Sequence, residues 1–237
     1  LDVFGPDAVA DLGLGIALAF VAAATLLISS VIALRQDNLK RRLAFSTVSQ
    51  LSYIVLGVAV GVSDAPDRAA AYALAGGLLH IPAHAFMKLT LFFCAGAIHV
   101  ETHTDDISDM AGIGRRMPLT MTAFGVASLG MAGIPLIAGF VSKYFILVGT
   151  VSSGQLLFTG ALLISGVLNI AYFWPVVYTA FFESPDDGNS KPLLESPFGG
   201  DRDVGPALYE PTFMIVCDPR TDVTYKLEAP YAFTRDA

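Results

Sequence analysis

Charge is what this sequence has least of. Only 15% of its 237 residues are Asp, Glu, Lys or Arg, where a soluble domain usually carries about 25%. With 54% of the residues hydrophobic and a mean hydropathy of +0.62, the composition points to a chain that lies in lipid. Cysteine is almost missing as well. Cys94, in an apolar run, and Cys217, near the C-terminus, stand at no metal-binding spacing and make no disulfide framework; Cys94 is expected as a small buried hydrophobe. There is no basic N-terminal region before a short apolar stretch, so no cleavable signal is read. The first residue is Leu1 rather than Met, as in a piece of a longer protein. Phosphate-binding glycine loops, nucleophile elbows and dinucleotide fingerprints are all lacking. No residue set for cleaving or transferring a group is seen, and no cofactor is expected.

What is present is a series of apolar runs. A membrane-spanning helix needs about 20 mostly apolar residues. Six candidates appear: Leu12 to Leu34, Leu43 to Val62, Ala69 to His99, Pro118 to Gly133, Ala138 to Val151, and Leu156 to Phe182. The third is about 46 Å long at 1.5 Å per residue, longer than a straight span requires, and Pro82 should kink it. Gly133, Pro135 and Gly139, followed by Lys143, interrupt the fourth and fifth, and such breakers inside a membrane segment predict a discontinuous helix. Asn169, Tyr172, Trp174, Pro175 and Tyr178 lie toward one end of the sixth run, where Trp and Tyr fit an interfacial belt. The fold class is therefore all-α, a polytopic membrane helix bundle over residues 1–183, followed by a polar, acidic tail over 184–237. In that tail Phe213 to Val216 is the one short strand candidate. The net charge of −7 collects there, from Asp186 to Asp236, and argues against a nucleic-acid partner. Arg35, Lys40, Arg41 and Arg42 precede the second span, and Arg115 and Arg116 precede the fourth. Both loops should lie on the cytoplasmic side, and six separate spans would leave the acidic tail on the other side.

Ionisable groups inside a bilayer cost about 2.5–3.5 kcal/mol each on insertion scales and mark function. His80, His84 and Lys88 follow one another at intervals of four, so they share one helix face. An unperturbed imidazole titrates near a pH of about 6.5, and desolvation favours a neutral amine, so such a stripe has the chemistry of a proton relay. Packing and structural hydrogen bonds are the alternative for each His taken alone. No carboxylate or third His stands at ligand spacing on this segment, and no metal site is read. Lys143 lies beside the interruption, where a polar gap is expected rather than simple snorkelling. Ser46, Thr47, Ser49 and Gln50 form a polar lining on the second span. Lys40 starts that span as a positive-inside anchor. His99 and His103, with Glu101, Asp105, Asp106 and Asp109, fit a solvated loop. Gly76 and Gly77 are expected to be packing residues.

These residues resemble a known family. Lys40-Arg41-Arg42-Leu43-Ala44-Phe45-Ser46-Thr47-Val48-Ser49-Gln50-Leu51, His80-Ile-Pro-Ala-His84-Ala-Phe-Met-Lys88, Arg116-Met117-Pro118 and Gly133-Ile134-Pro135…Gly139-Phe140-Val141-Ser142-Lys143 look like four stations, in order, of the antiporter-like subunits of respiratory complex I and the Mrp cation/proton antiporters. Ala95 to His99 and Gly112 to Pro118 look most like the D-type member of the Mrp antiporters. The resemblance covers about residues 10 to 182 and implies two inverted repeats, each with a broken helix, of which this chain resembles the C-terminal half. It implies that His80, His84 and Lys88 belong to a central proton axis, that Lys143 is its terminal lysine, and that Lys40 matches a lysine of the same path. No counterpart of the first repeat's glutamate and lysine is found. The function expected is a proton-translocating subunit of a Na+/H+ antiporter complex in the cell membrane, with other membrane subunits, protons and Na+ as partners. The alternatives are the equivalent subunit of an NADH-quinone oxidoreductase or membrane-bound hydrogenase, a translocase whose redox site would lie in other chains, and a truncated scaffold that transports nothing.

Overall fold

The computed structural model describes residues 13–63 and 65–183. Among them every regular element is helical: α1 (Leu14–Leu34), α2 (Leu39–Gly61), α3 (Asp67–Thr102), the short α4 (Ile113–Arg116), α5 (Pro118–Ala132), α6 (Ala138–Ser152) and α7 (Leu156–Phe182), with one 3-10 turn at Ile107–Asp109. The acidic tail, Cys217 and the strand candidate lie outside the described residues. Cys94 is buried in the apolar core, as expected.

Local chemistry explains the helix bounds. α2 starts at Leu39 rather than Leu43, because the Asn38 side chain accepts the Arg41 N–H at 3.1 Å and turns the basic stretch into a first helical turn. α3 runs unbroken for 36 residues, about 54 Å. Pro82 therefore does not break it: the ring removes one N–H, and the helix continues on both sides. α5 opens on Pro118 at its first position and ends at Gly133, which takes the left-handed conformation (φ 86°) that a side chain would resist.

Glycines set the spacing between helices. A Cβ on Gly57 would lie 2.8 Å from the Ala73 carbonyl oxygen, and one on Gly76 would lie 2.6 Å from the Ile146 nitrogen. Gly57 and Gly77 bring α2 onto α3, and Gly76 and Gly149 bring α6 onto α3, in the small-residue packing typical of membrane helices.

Four helices, α1, α2, α3 and α7, are long and apolar enough to cross a membrane. The 15-residue α5 and α6 are each about 22 Å long, short of the roughly 30 Å required. Their neighbours show how they fit together. Arg116, just before α5, pairs with Glu101 at the end of α3 (3.7 Å). Gly130 and Gly139, on either side of the break, both sit against Met87 at the middle of α3. Farther along, Ser142 meets His80 and Gly149 meets Ala73. α5 and α6 are thus two arms of one discontinuous crossing antiparallel to α3, separated by Gly133 to Ile137.

That geometry corrects the expected topology. The two basic loops do lie together: Leu39 N–H donates to Asp105 O (2.7 Å), Ile107 N–H donates to Asp37 O (3.0 Å), and Asn38 bridges Asp106. With α5 and α6 counted as one crossing, α7 starts on the opposite side, where Gln155 reaches Ser63 (3.1 Å). It returns to the basic side, where Gly112 N–H donates to Thr179 O (3.2 Å). The chain leaves α7 beside the basic loops, not across the membrane from them.

Candidate functional site

The buried residues fall into two apolar clusters. One, nearer the basic loops, includes Ala33, Leu39, Leu43, Leu91, Ile98, Tyr172 and Val176. The other, toward the far side, includes Ala19, Leu26, Leu56, Ala73, Ile146 and Phe158. Between them each crossing contributes buried polar groups: Ser29 and Ser30 on α1, Ser46, Ser49 and Gln50 on α2, His80, His84 and Lys88 on α3, Ser142 on α6, and Ser165 and Asn169 on α7. The result is a polar layer at mid-depth.

Within this layer His80 is wholly buried. Its Nδ1 lies 2.8 Å from Ser142 Oγ and its Nε2 lies 3.1 Å from Gln50 Oε1, so α2 and α6 grip the ring from both nitrogens. Gln50 and Ser142 can each donate or accept, so both tautomers of the ring find partners here. One turn on, the His84 ring stacks over His80, with centroids 5.9 Å apart. One further turn on, the Lys88 ammonium donates to Leu43 O (2.8 Å) and to Ser46 Oγ, and lies 5.9 Å from the centre of the Phe92 ring. The interval of four residues has therefore put all three on one continuous stripe, as the sequence predicted.

Lys143 reaches the same layer from the other direction. Its ammonium donates to Met131 O (2.5 Å), a carbonyl released at the end of α5, and sits 4.4 Å from the centre of the Tyr53 ring. Tyr53 also packs on His80, with centroids 5.5 Å apart, so one aromatic ring joins Lys143 to the histidine stripe. Beyond Met131, Asn169 Nδ2 donates to the same carbonyl (3.3 Å), and Tyr172 Oη donates to Asn169 Oδ1 (2.5 Å). Among the described residues, no carboxylate comes within ion-pair distance of Lys88 or Lys143. Carbonyls, a hydroxyl and ring faces are what compensate these ammonium groups.

Other expected residues go elsewhere. Thr47 is half-buried and donates only to its own helix at Leu43 O (2.9 Å), so it does not line the layer. Lys40 stands at the loop end, paired with Asp105 at 3.0 Å, and His99 Nδ1 lies 3.0 Å from the same Asp105 oxygen. Gly139 lies inside α6, packed against Gly130 rather than in the break. Arg42, counted as a loop charge, turns inward and donates to Gln36 O and Tyr172 O (2.7 Å to the latter). Sequence reasoning misses the role of Tyr53, Asn169 and Tyr172. Trp174 and Tyr178 face outward, but Tyr172, expected with them in an interfacial belt, is wholly buried together with Asn169. Their signal is faint: three residues apart on α7, they occupy the face opposite to Trp174.

A polytopic bundle with a discontinuous helix, and with lysines and histidines lined up in a buried polar layer, defines the class as a polytopic membrane protein with a polar interior. The chain belongs to the NADH:quinone oxidoreductase/Mrp antiporter transmembrane family, whose profile matches residues 7–169. It is 42% identical over 166 residues to NADH-quinone oxidoreductase subunit N of Desulforudis audaxviator, covering 70% of this chain and 32% of that protein. It is 36% identical over 169 residues to NADH-quinone oxidoreductase subunit L of Pseudomonas aeruginosa, covering 70% and 25%. Among solved structures it resembles the Mrp complex from Dietzia sp. (TM-score 0.67, 26% identity, 81% of this chain and 34% of that one). Respiratory complex I from Thermus thermophilus shares the fold (TM-score 0.68, 23% identity, 77% and 37%). The chain thus spans between a quarter and somewhat over a third of the length of these relatives.

Proposed function

We propose that this chain forms the proton-carrying half of an antiporter-like subunit in the cell membrane. Protons pass between Lys88, His84, His80 and Lys143. The observation that carries this reading is the continuity of the buried layer: Lys88, two stacked imidazoles, Tyr53 and Lys143 form one row, and among the described residues no carboxylate pairs with either lysine. A group that must both take up and release a proton cannot sit in a tight ion pair. Imidazole, with one nitrogen that donates and one that accepts, passes a proton on without moving far. A water bridging a gap wider than a hydrogen bond would serve nearly as well as a direct contact.

The test uses the complete assembly in liposomes with an internal pH dye. Lys143→Ala and Lys88→Ala should each lower proton flux by about two orders of magnitude, the usual scale for loss of a proton-transferring group. Thr47→Val, outside the layer, should leave flux intact and so controls for assembly. Unchanged flux in Lys143→Ala would sink the proposal.

The Mrp-like motifs and the likeness to the Mrp complex support a Na+/H+ antiporter, with protons and Na+ as its ions and small membrane subunits around it. The 42% identity to an NADH-quinone oxidoreductase subunit favours a second reading, in which redox chemistry in other chains drives the same path. Mass spectrometry of the complex in mild detergent decides between them. Partners with flavin or iron–sulfur centres mean the second, and only small hydrophobic partners mean the first.

A further inference from the structure

Met131 O is a carbonyl that its own helix does not satisfy. The residue four places on is Pro135, which has no N–H to donate, and Ile134 N–H turns back to Leu129 O (3.2 Å) instead. The donors that reach Met131 O are side chains from two other helices: Lys143 Nζ on α6 (2.5 Å) and Asn169 Nδ2 on α7 (3.3 Å). A carbonyl oxygen has two lone pairs, so it takes both donors at once.

Asn169 is held in place for this. Tyr172 Oη donates to its Oδ1 (2.5 Å), which turns the NH2 end of the amide toward Met131. Tyr172 is pinned in turn, because its backbone carbonyl accepts from Arg42 Nη1 (2.7 Å) and its hydroxyl also faces the Ser46 and Gln50 side chains. Asn169 and Tyr172 are both wholly buried. An amide side chain does not titrate, so Asn169 carries no proton itself.

A lysine on a proton path has to bind a proton and also let it go. When the ammonium loses its charge, its bond to Met131 O weakens from a charge-assisted one to a neutral one. A buried carbonyl left short of a donor is unfavourable, and with Lys143 as sole partner that penalty would favour the charged lysine. A second donor removes it. We infer, on the basis of the proton path proposed above, that Asn169 is a positioning residue for proton release: its amide keeps Met131 O satisfied when Lys143 gives up its charge, and Tyr172 aims that amide. The titratable groups facing Lys143 from other elements are Tyr53 on α2 and His80 and His84 on α3. Among the described residues no acid pairs with it, so the shared carbonyl is where an uncharged neighbour acts on this lysine.

Proton flux measured against pH, in liposomes carrying the complete assembly, tests this. Asn169→Leu, of similar volume, leaves Met131 O to Lys143 alone. The lysine then keeps its proton to higher pH, and the pH of half-maximal flux should rise by about one unit, the scale of one buried hydrogen bond. Tyr172→Phe, which removes only the oxygen that aims the amide, should move the midpoint in the same direction and less far. Where Asn169→Leu does not assemble, Tyr172→Phe decides alone. Lower flux at an unshifted midpoint marks a merely structural role and would overturn the inference, as would profiles identical to the unsubstituted protein. Lys143→Ala keeps the two readings apart. Lost flux in that variant, beside unshifted midpoints in the others, removes only the role of Asn169, whereas unchanged flux removes the path itself and this role with it.

Discussion

Lys88 and Lys143 are held by different chemistry, and substitution should separate them. Lys88 has two direct acceptors, a carbonyl and the Ser46 hydroxyl. Ser46→Ala removes one acceptor from a buried ammonium, a loss of about 1–3 kcal/mol. It should change the pH dependence of proton flux, while Thr47→Val, one residue away, leaves it as it was. A pH profile of flux for the two variants checks this, and equal profiles would show that Ser46 is not a partner of the working lysine. Lys143 instead rests on Tyr53, where a cation over an exposed ring gains about 0.5–1 kcal/mol and a desolvated one about 2 kcal/mol. Tyr53→Leu should therefore impair flux, whereas Tyr53→Phe, which keeps the ring, should retain most of it. The stripe His80, His84, Lys88 was legible because a period of four is a property of one helix. The place of Tyr53 was not, since it depends on how α2, α3 and α6 meet.

At the level of elements, the contacts of α3 are set by what its faces lack. Gly76 and Gly77 turn in different directions, one toward α6 and one toward α2. Gly76→Leu would drive a side chain into the Ile146 backbone, where nothing flexible can yield. Overpacking of this kind costs about 1–3 kcal/mol, occasionally more, and should lower the melting temperature of the detergent-solubilised complex. Gly125→Leu, where the added Cβ meets open space, should leave that temperature nearly unchanged and serves as the comparison. Helix bounds were mostly readable, since apolar length and caps are local. Pro82 did not end its helix, because proline marks a lost donor and α3 continues on both sides. The number of crossings misled more: the interruption reads as a discontinuous helix, yet its two arms were counted as separate spans, and their shared neighbour Met87 joins them into one crossing.

For the whole molecule, pairing two short helices into one crossing reverses the side on which the chain leaves the bundle. Single cysteines at 183, 36 and 154, in a background without Cys94 and Cys217, test this with a membrane-impermeant maleimide. Positions 183 and 36 should label from the same side, and 154 from the opposite one. Labelling of 154 together with 36, and of 183 from the opposite side, would restore six separate spans. Family membership and the polar layer were both within reach of the sequence, because motif order and buried ionisable groups survive in one dimension. The division of the interior into two apolar clusters around a polar mid-layer was not, since it requires the level of every helix relative to the others.

The hydrogen-bonded seam between the two basic loops has a consequence for how the protein is made. Leu39 and Asp37 find their partners in Asp105 and Ile107, almost seventy residues later. Closing so long a loop must await synthesis and insertion of α3 in between. Until then the hairpin of α1 and α2 is held only by its own contacts, such as Ser49 with Ser30 and Leu26 O. Once α3 has followed, the seam can close at the surface while Gln50 and Ser46 meet His80 and Lys88 inside. The polar layer is therefore completed late in biogenesis, after α3 is inserted.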